Sequence, residues 1–145
     1  MQIGRAGEAD IEDWLALRLA LWPEDAAEAR KAIEQSLSNT YGYAAFLARD
    51  GRAVAGFAEA SLRHDYVNGC ETSPVAFLEG IYVAPDWRRR GVARGLTEAV
   101  AEWARANGCT EFASDALLDN GVSHAFHAAI GFDETERVVY FRRPL

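Results

Sequence analysis

The chain is short of the residues that staple small folds or hold metals: 145 residues contain 2 Cys, 3 His, 1 Met and 4 Pro. Cys70 and Cys109 have neither metal-ligand spacing nor a paired framework, so both are expected as reduced thiols and no metal is expected. Long apolar runs, a charged-apolar-small leader and low-complexity tracts are also lacking, which argues against export and membrane spanning and for a cytoplasmic protein. Positive charge is scarce as well, with 15 Lys and Arg against 22 Asp and Glu and a net charge of −7. Nucleic acid needs clustered cations over a wide face and is therefore not expected as a partner; an acidic chain suits a cationic one. What is abundant is apolar material, 50% of the residues, enough for one domain spanning 1–145 with a sizeable core.

The scarce cations are concentrated. Arg88, Arg89, Arg90 and Arg94 fall in Val-Ala-Pro-Asp-Trp-Arg-Arg-Arg-Gly-Val-Ala-Arg, residues 83–94. This stretch leaves an apolar strand and opens an amphipathic helix. Gly91 lets backbone approach a ligand, Ala93 keeps the next turn narrow, and the free N–H groups of the helix start point outward as donors. Such a turn can cradle a pyrophosphate. The plain alternative is a solvated basic helix start, because the Arg-x-x-Gly-x-Ala pattern is short.

Around this turn the periodicity alternates between strand and helix. Met1–Arg5 reads as an edge strand. Ile11, Trp14, Leu15 and Leu19 give a helix ending before Pro23, and Ala26, Ala29, Ile33 and Leu37 a second starting near Pro23 or Glu24. Tyr43–Ala48 and Ala53–Ser61 form a hairpin about Asp50-Gly51. After a polar loop from Arg63 to Ser73, Val75–Val83 has the apolar content of a central strand. The helix after Gly91 buries Val92, Leu96, Ala99, Val100 and Trp103 and stops at Asn107-Gly108. A strand over Thr110–Ser114, a helix from about Asn120 to Ile130 and a last strand over Val138–Arg142 complete a mixed α/β fold with helices on both faces of the sheet. The plainer reading of Gly80 is that it relieves crowding in a packed sheet; the alternative is a bulge that splays Val75–Val83 from its neighbour, freeing backbone groups for the amides of a pantetheine arm.

The strand, Arg-x-x-Gly-x-Ala loop, helix and late Gly131-Phe132 resemble the GNAT N-acetyltransferase superfamily. Leu21-Trp22-Pro23, the run from Arg63 to Glu71, Leu78-Glu79-Gly80-Ile81-Tyr82-Val83, Ser114-Asp115-Ala116 with Asp119-Asn120, and Gly131-Phe132 through Phe141 are similar to its aminoglycoside 6′-N-acetyltransferases over nearly the whole chain. The resemblance implies the acyl-CoA N-acyltransferase fold, a mostly antiparallel sheet with a splayed central strand. It implies direct acetyl transfer from acetyl-CoA to the 6′-amine of an aminoglycoside, conferring antibiotic resistance, and a homodimer. It marks Trp22, Tyr66, Glu79, Asp115 and Glu136 as antibiotic contacts. For the cofactor it marks Ile81, Tyr82, Val83, Arg89, Arg90, Gly91, Val92, Ala93, Arg94 and Asn120.

The chemistry of those residues agrees. A hydroxyl-rich polycation calls for carboxylates and flat amphipathic rings. Each has a plainer reading: a core anchor for Trp22, loop capping for Asp115, a solvated face for Glu136. An alkyl ammonium, with a reference pKa of roughly 10.4, must lose a proton before attack. Glu79 is the first candidate to collect it and Asp115 the second, while the N–H of Val83 is placed to stabilise the oxyanion. Neither cysteine sits in an activating motif, which leaves direct transfer. The superfamily's usual general-acid Tyr, four residues before the late Gly, is His127 here; it can donate a proton or pack, with Ser123 and His124 nearby. The alternative function is a GNAT enzyme acting on another amine, such as a polyamine, a lysine or a protein N-terminus.

Overall fold

The computed structural model describes residues 1–145. Strands β1 (Gln2–Arg5), β2 (Tyr43–Asp50), β3 (Ala53–Arg63) and β4 (Val75–Val83) pair antiparallel in chain order, and β5 (Phe112–Ala113) lies parallel to β4. Helices α1 (Ile11–Leu21) and α2 (Ala26–Ser38) precede the hairpin, α3 (Val92–Ala106) joins β4 to β5, and α4 (Gly121–Ala129) follows β5.

Local chemistry sets the helix ends. The backbone of Trp22 turns extended (ψ 95) ahead of Pro23, which disfavours helical geometry in the residue before it. The second helix starts later than Pro23 or Glu24, because Asp25 is its cap: one carboxylate oxygen accepts from the N–H of Ala27 at 3.0 Å and of Glu28 at 3.1 Å. Gly91 opens α3 with a φ of +79, a conformation available to glycine at little cost.

Strand alternation divides the core into two layers. Ala45, Leu47 and Phe57 face α1 and α2 through Trp14, Leu15, Leu17, Ala29 and Ile33. Phe46, Ala48, Ala58, Ala60 and Leu78 face α3 through Val92, Leu96, Val100 and Trp103. Both faces being covered explains why the middle strands read as continuous apolar runs.

Two irregularities in β4 position the site. Glu59 pairs with Gly80 and Ala60 with Leu78, so Glu79 is an extra residue in the ladder. Leu78 faces α3, so alternation puts Glu79 on the face bearing α1, and the bulge keeps Gly80 on that same face instead of turning it under α3. On the other side, β5 pairs with β4 only at Ala76–Phe112 and Phe77–Ala113. Residues 78–83 therefore have no strand beside them there, and β4 and β5 splay apart.

The C-terminal segment departs from expectation. Val138–Arg142 forms no strand, and the strand expected over Thr110–Ser114 shrinks to two residues. A strand persists only against a paired edge, and no strand of this sheet lies beside residues 138–142. Val139, Tyr140 and Phe141 are 74%, 80% and 92% exposed. No helix is long and apolar enough to cross a membrane.

Candidate active site

The splay supplies a backbone edge leading to the glycine turn. The N–H of Ala84 donates to the carbonyl of Ala55 on β3 at 2.8 Å. By alternation the N–H and C=O of Val83 and Ile81 point away from β3 into the splay, where an amide-bearing chain can pair with them. The carbonyl of Val83 already accepts from Nε of Arg88 at 2.9 Å. At Gly91 nothing lies within 4 Å of where a Cβ would be, so the turn fronts open space. The start of α3 presents the N–H groups of Val92, Ala93 and Arg94 to that space.

The four arginines are not equivalent. Arg88 braces Val83 and stacks on Tyr82, Arg90 lies over Trp87 with its guanidinium 5.3 Å from the ring centroid, and Arg94 donates to the carbonyl of Ala129 at 3.2 Å, tying α3 to α4. Arg89 adopts a φ of +62, a left-handed conformation rare for a side-chain-bearing residue. Asn120 caps α4 by accepting from the N–H of Ser123 at 3.1 Å, which leaves its carboxamide NH2 for other partners.

The face bearing α1 carries the acceptor candidates. Glu79 accepts from Ser61 Oγ at 2.5 Å and from Nη2 of Arg63 at 2.9 and 3.1 Å, and 29% of its side chain remains exposed. The Arg63 guanidinium lies 3.4 Å from the Phe77 ring centroid. A carboxylate and an aromatic face thus already flank one cation. A Cβ at Gly80 would come within 2.3 Å of Trp22 Cη2, so glycine is what lets the indole lie over β4 beside Glu79. Trp22 is half-buried, as an anchor and a pocket wall both require; it meets Phe57 edge-on and has the Arg18 guanidinium 4.8 Å from its centroid.

Tyr66 is 75% exposed in the loop between β3 and β4. A Cβ at Gly69 of that loop would lie 2.2 Å from Thr135 Oγ1, so the stretch carrying Glu136 runs against it. Glu134 pairs with Arg137 at 2.5 Å and leaves Glu136 unpaired. Asp115 is exposed and caps nothing; it follows Ser114, whose Oγ lies 3.4 Å from the carbonyl of Leu78.

His127 is held on both ring nitrogens. Nδ1 lies 2.7 Å from the carbonyl of Ser123, which can only accept, so Nδ1 carries the proton in the neutral ring; Nε2, 2.8 Å from Ser114 Oγ, then accepts from the hydroxyl. In that state His127 pins α4 to the end of β5 and has no proton free to give at Nε2.

The geometry has the parts of an acyl-transfer site, and the comparisons with known proteins agree. The model of the Acetyltransferase (GNAT) family matches residues 9–132. The chain belongs to this family. It is 54% identical over 145 residues to an aminoglycoside N(6′)-acetyltransferase type 1 of Stenotrophomonas maltophilia, covering 99% of this chain and 93% of that one. The crystal structure of an aminoglycoside 6′-N-acetyltransferase from Acinetobacter haemolyticus matches with a TM-score of 0.96 at 48% identity, covering 100% and 99% of the two chains. A second such enzyme, solved with a bisubstrate analogue of CoA and acetylneamine, matches with a TM-score of 0.93 at 45% identity, covering 99% and 98%.

As a GNAT acetyltransferase the chain needs no nucleophilic side chain of its own. Burial pushes the thiols of Cys70 and Cys109 above the ordinary cysteine value, Glu111 adding to the effect at Cys70, so both stay protonated at neutral pH. Several neighbours of the site were beyond sequence reasoning. Ser61 and Arg63 share a face at strand spacing, but only the pairing of β3 with β4, Ser61 opposite Phe77 and Arg63 opposite Val75, brings them to Glu79. Glu59, Arg18, Trp14 and Tyr43 form a buried group behind Trp22 that no motif announces.

Proposed function

We propose that the protein transfers the acetyl group of acetyl-CoA directly to the 6′-amine of aminoglycoside antibiotics, and thereby confers resistance to them. The observation that carries this is the bulge at Glu79. One residue lies between a carboxylate-and-indole surface suited to a polycation and a free backbone edge running to an anion-binding helix start. The relatives' names supply the acceptor; the pocket's chemistry is consistent with it.

Bound acetyl-CoA supplies an activated acyl group along the open edge of β4. Ile81 and Val83 offer backbone N–H and C=O groups to its arm, and the N–H of Val83 is the donor assigned to the developing oxyanion. The stretch from Arg89 to Arg94 with the N–H groups of α3, together with Tyr82 and Asn120, holds the remainder. Trp22, Tyr66, Asp115 and Glu136 orient the antibiotic. Glu79 takes the proton from the attacking ammonium, directly or through water, as the incoming cation replaces Arg63 at its carboxylate; Asp115 is the second choice for that proton.

We also infer a single cytoplasmic domain over residues 1–145 that works as a homodimer. The unpaired, exposed Val139-Tyr140-Phe141 run supports the dimer, because a second copy would give it a paired edge.

The deciding experiment follows acetyl-CoA-dependent thiol release with kanamycin or tobramycin, with analogues bearing a 6′-hydroxyl, with spermidine and with a lysine peptide, on protein that should elute as a dimer from a sizing column. Turnover confined to 6′-amino compounds is the expected result. Turnover with spermidine or peptide alone keeps the family chemistry and overturns the acceptor.

A further inference from the structure

The sheet buries one carboxylate that the transfer reaction does not use. Glu59, at the centre of β3, is 1% exposed. It accepts from Trp14 Nε1 at 2.7 Å, from Tyr43 Oη at 2.6 Å and, through both oxygens, from Arg18 Nη1 at 2.5 Å. These donors come from α1 and β2, so the carboxylate ties the helix to the sheet. Burial works against the charge on Arg18, but Glu59 outweighs it and holds the guanidinium above the ordinary arginine value.

Replacing a buried ion pair by uncharged groups of similar volume is often neutral or stabilising, provided the remaining donors keep an acceptor. Fixed geometry is what the ion pair adds. Arg18 lies one helical turn before the end of α1. Its backbone carbonyl accepts from the N–H of Trp22 at 2.8 Å, its guanidinium lies 4.8 Å from the indole centroid, and its Nε reaches Glu24 beyond Pro23 at 3.4 Å. The indole then lies over Gly80, the β4 residue paired with Glu59 and adjacent to Glu79. A closed circuit of contacts runs from Glu59 through Arg18 and Trp22 to Gly80 and back across the sheet. With Glu59 and Glu24 on either side, Arg18 also brings no net positive charge to a pocket meant for a polycation.

We propose that Arg18, clamped by the buried carboxylate of Glu59, is a positioning residue that fixes the Trp22 wall of the acceptor pocket and so sets affinity for the aminoglycoside. This rests on Trp22 being an acceptor contact, as in the proposed function. Arg18 acts through Trp22 and touches neither reactant.

The test is the paired substitution Arg18→Met with Glu59→Gln, which removes both charges together and keeps an acceptor for Trp14 and Tyr43, alongside Arg18→Lys, which keeps charge but loses the planar guanidinium that meets Glu59, Glu24 and the indole together. Two readouts are used: steady-state kinetics, and fluorine NMR of fluorotryptophan-labelled protein with the Trp22 resonance assigned from Trp22→Phe. The paired variant should melt close to the parent, shift and broaden the Trp22 resonance, and raise KM for the aminoglycoside about tenfold with KM for acetyl-CoA unchanged. Arg18→Lys should fall between the two. An unmoved Trp22 resonance in the folded paired variant overturns the proposal, as does an equal rise in both KM values. If the parent itself turns over no aminoglycoside, the acceptor reading falls, while the Trp22 resonance still decides the positioning role.

Discussion

Glu59 and Glu79 lie on the same face of the sheet and each is paired with an arginine, yet they hold opposite positions in the protein. Glu59 is closed off, with its donors drawn from a tryptophan, a tyrosine and Arg18. Glu79 is bulged out of its ladder, shares Arg63 with solvent and keeps 29% of its side chain open. The difference follows from the backbone. Regular pairing places Glu59 under α1, whereas Glu79, the extra residue of the bulge, lies on the same face at the rim where α1 has already ended before Trp22. A carboxylate saturated by internal donors fixes structure; one whose partner is exposed can exchange that partner for a substrate ammonium.

The comparison breaks most severely if the two are equally costly to remove. Glu59→Ala leaves the Arg18 guanidinium buried beside a cavity and should lower unfolding free energy by about 3–5 kcal/mol. Glu79→Ala removes a solvent-screened pair and should cost roughly 0–1 kcal/mol. Urea unfolding of both variants checks this, and similar losses would refute the division between a closed and an open carboxylate.

Activity should invert that order. Glu79→Gln keeps shape and loses the proton acceptor, so kcat should fall by on the order of a hundredfold while acetyl-CoA affinity is held. An unchanged rate across pH would remove Glu79 as the base and pass the role to Asp115.

How far the sequence reveals this difference depends on the kind of order involved. Periodicity placed α1, α2, α3 and the hairpin within a few residues, because their apolar faces repeat at helical or strand spacing. Gly80 read by itself favoured simple relief of crowding over a bulge, yet the ladder has a bulge, with Glu79 as the extra residue. Glu59 carried no signal, sitting as one charge in the apolar run Ala53–Arg63; its partners Trp14, Arg18 and Tyr43 lie 16 to 45 residues away. Such a cluster is set by packing of α1 on the sheet, which no local pattern encodes. The expected last strand failed for a related reason. Alternation in Val138–Arg142 describes a strand that needs an edge, and this chain's sheet does not provide one. Resemblance marked Trp22, Tyr66, Glu79, Asp115 and Glu136, while only the fold separates Glu79, held by Arg63, from the unpaired Glu136.

The smallest effect concerns the phenol that completes the closed site. Burial pushes the pKa of Tyr43 above the ordinary tyrosine value, and the carboxylate of Glu59 pushes it the same way. A raised folded pKa means that the native state keeps a proton which the unfolded chain releases above about pH 10. The associated stability is therefore complete below that pH and declines as pH rises beyond it. Tyr43→Phe should lose about 1 kcal/mol at neutral pH through the missing hydrogen bond to Glu59. Above pH 10 its stability should fall less steeply than the parent's, by up to about 1.4 kcal/mol for each pH unit, so the two unfolding curves converge. Parallel curves in alkaline urea titrations would mean that Tyr43 ionises in the folded protein, and that the site around Glu59 is open to solvent much as Glu79 is.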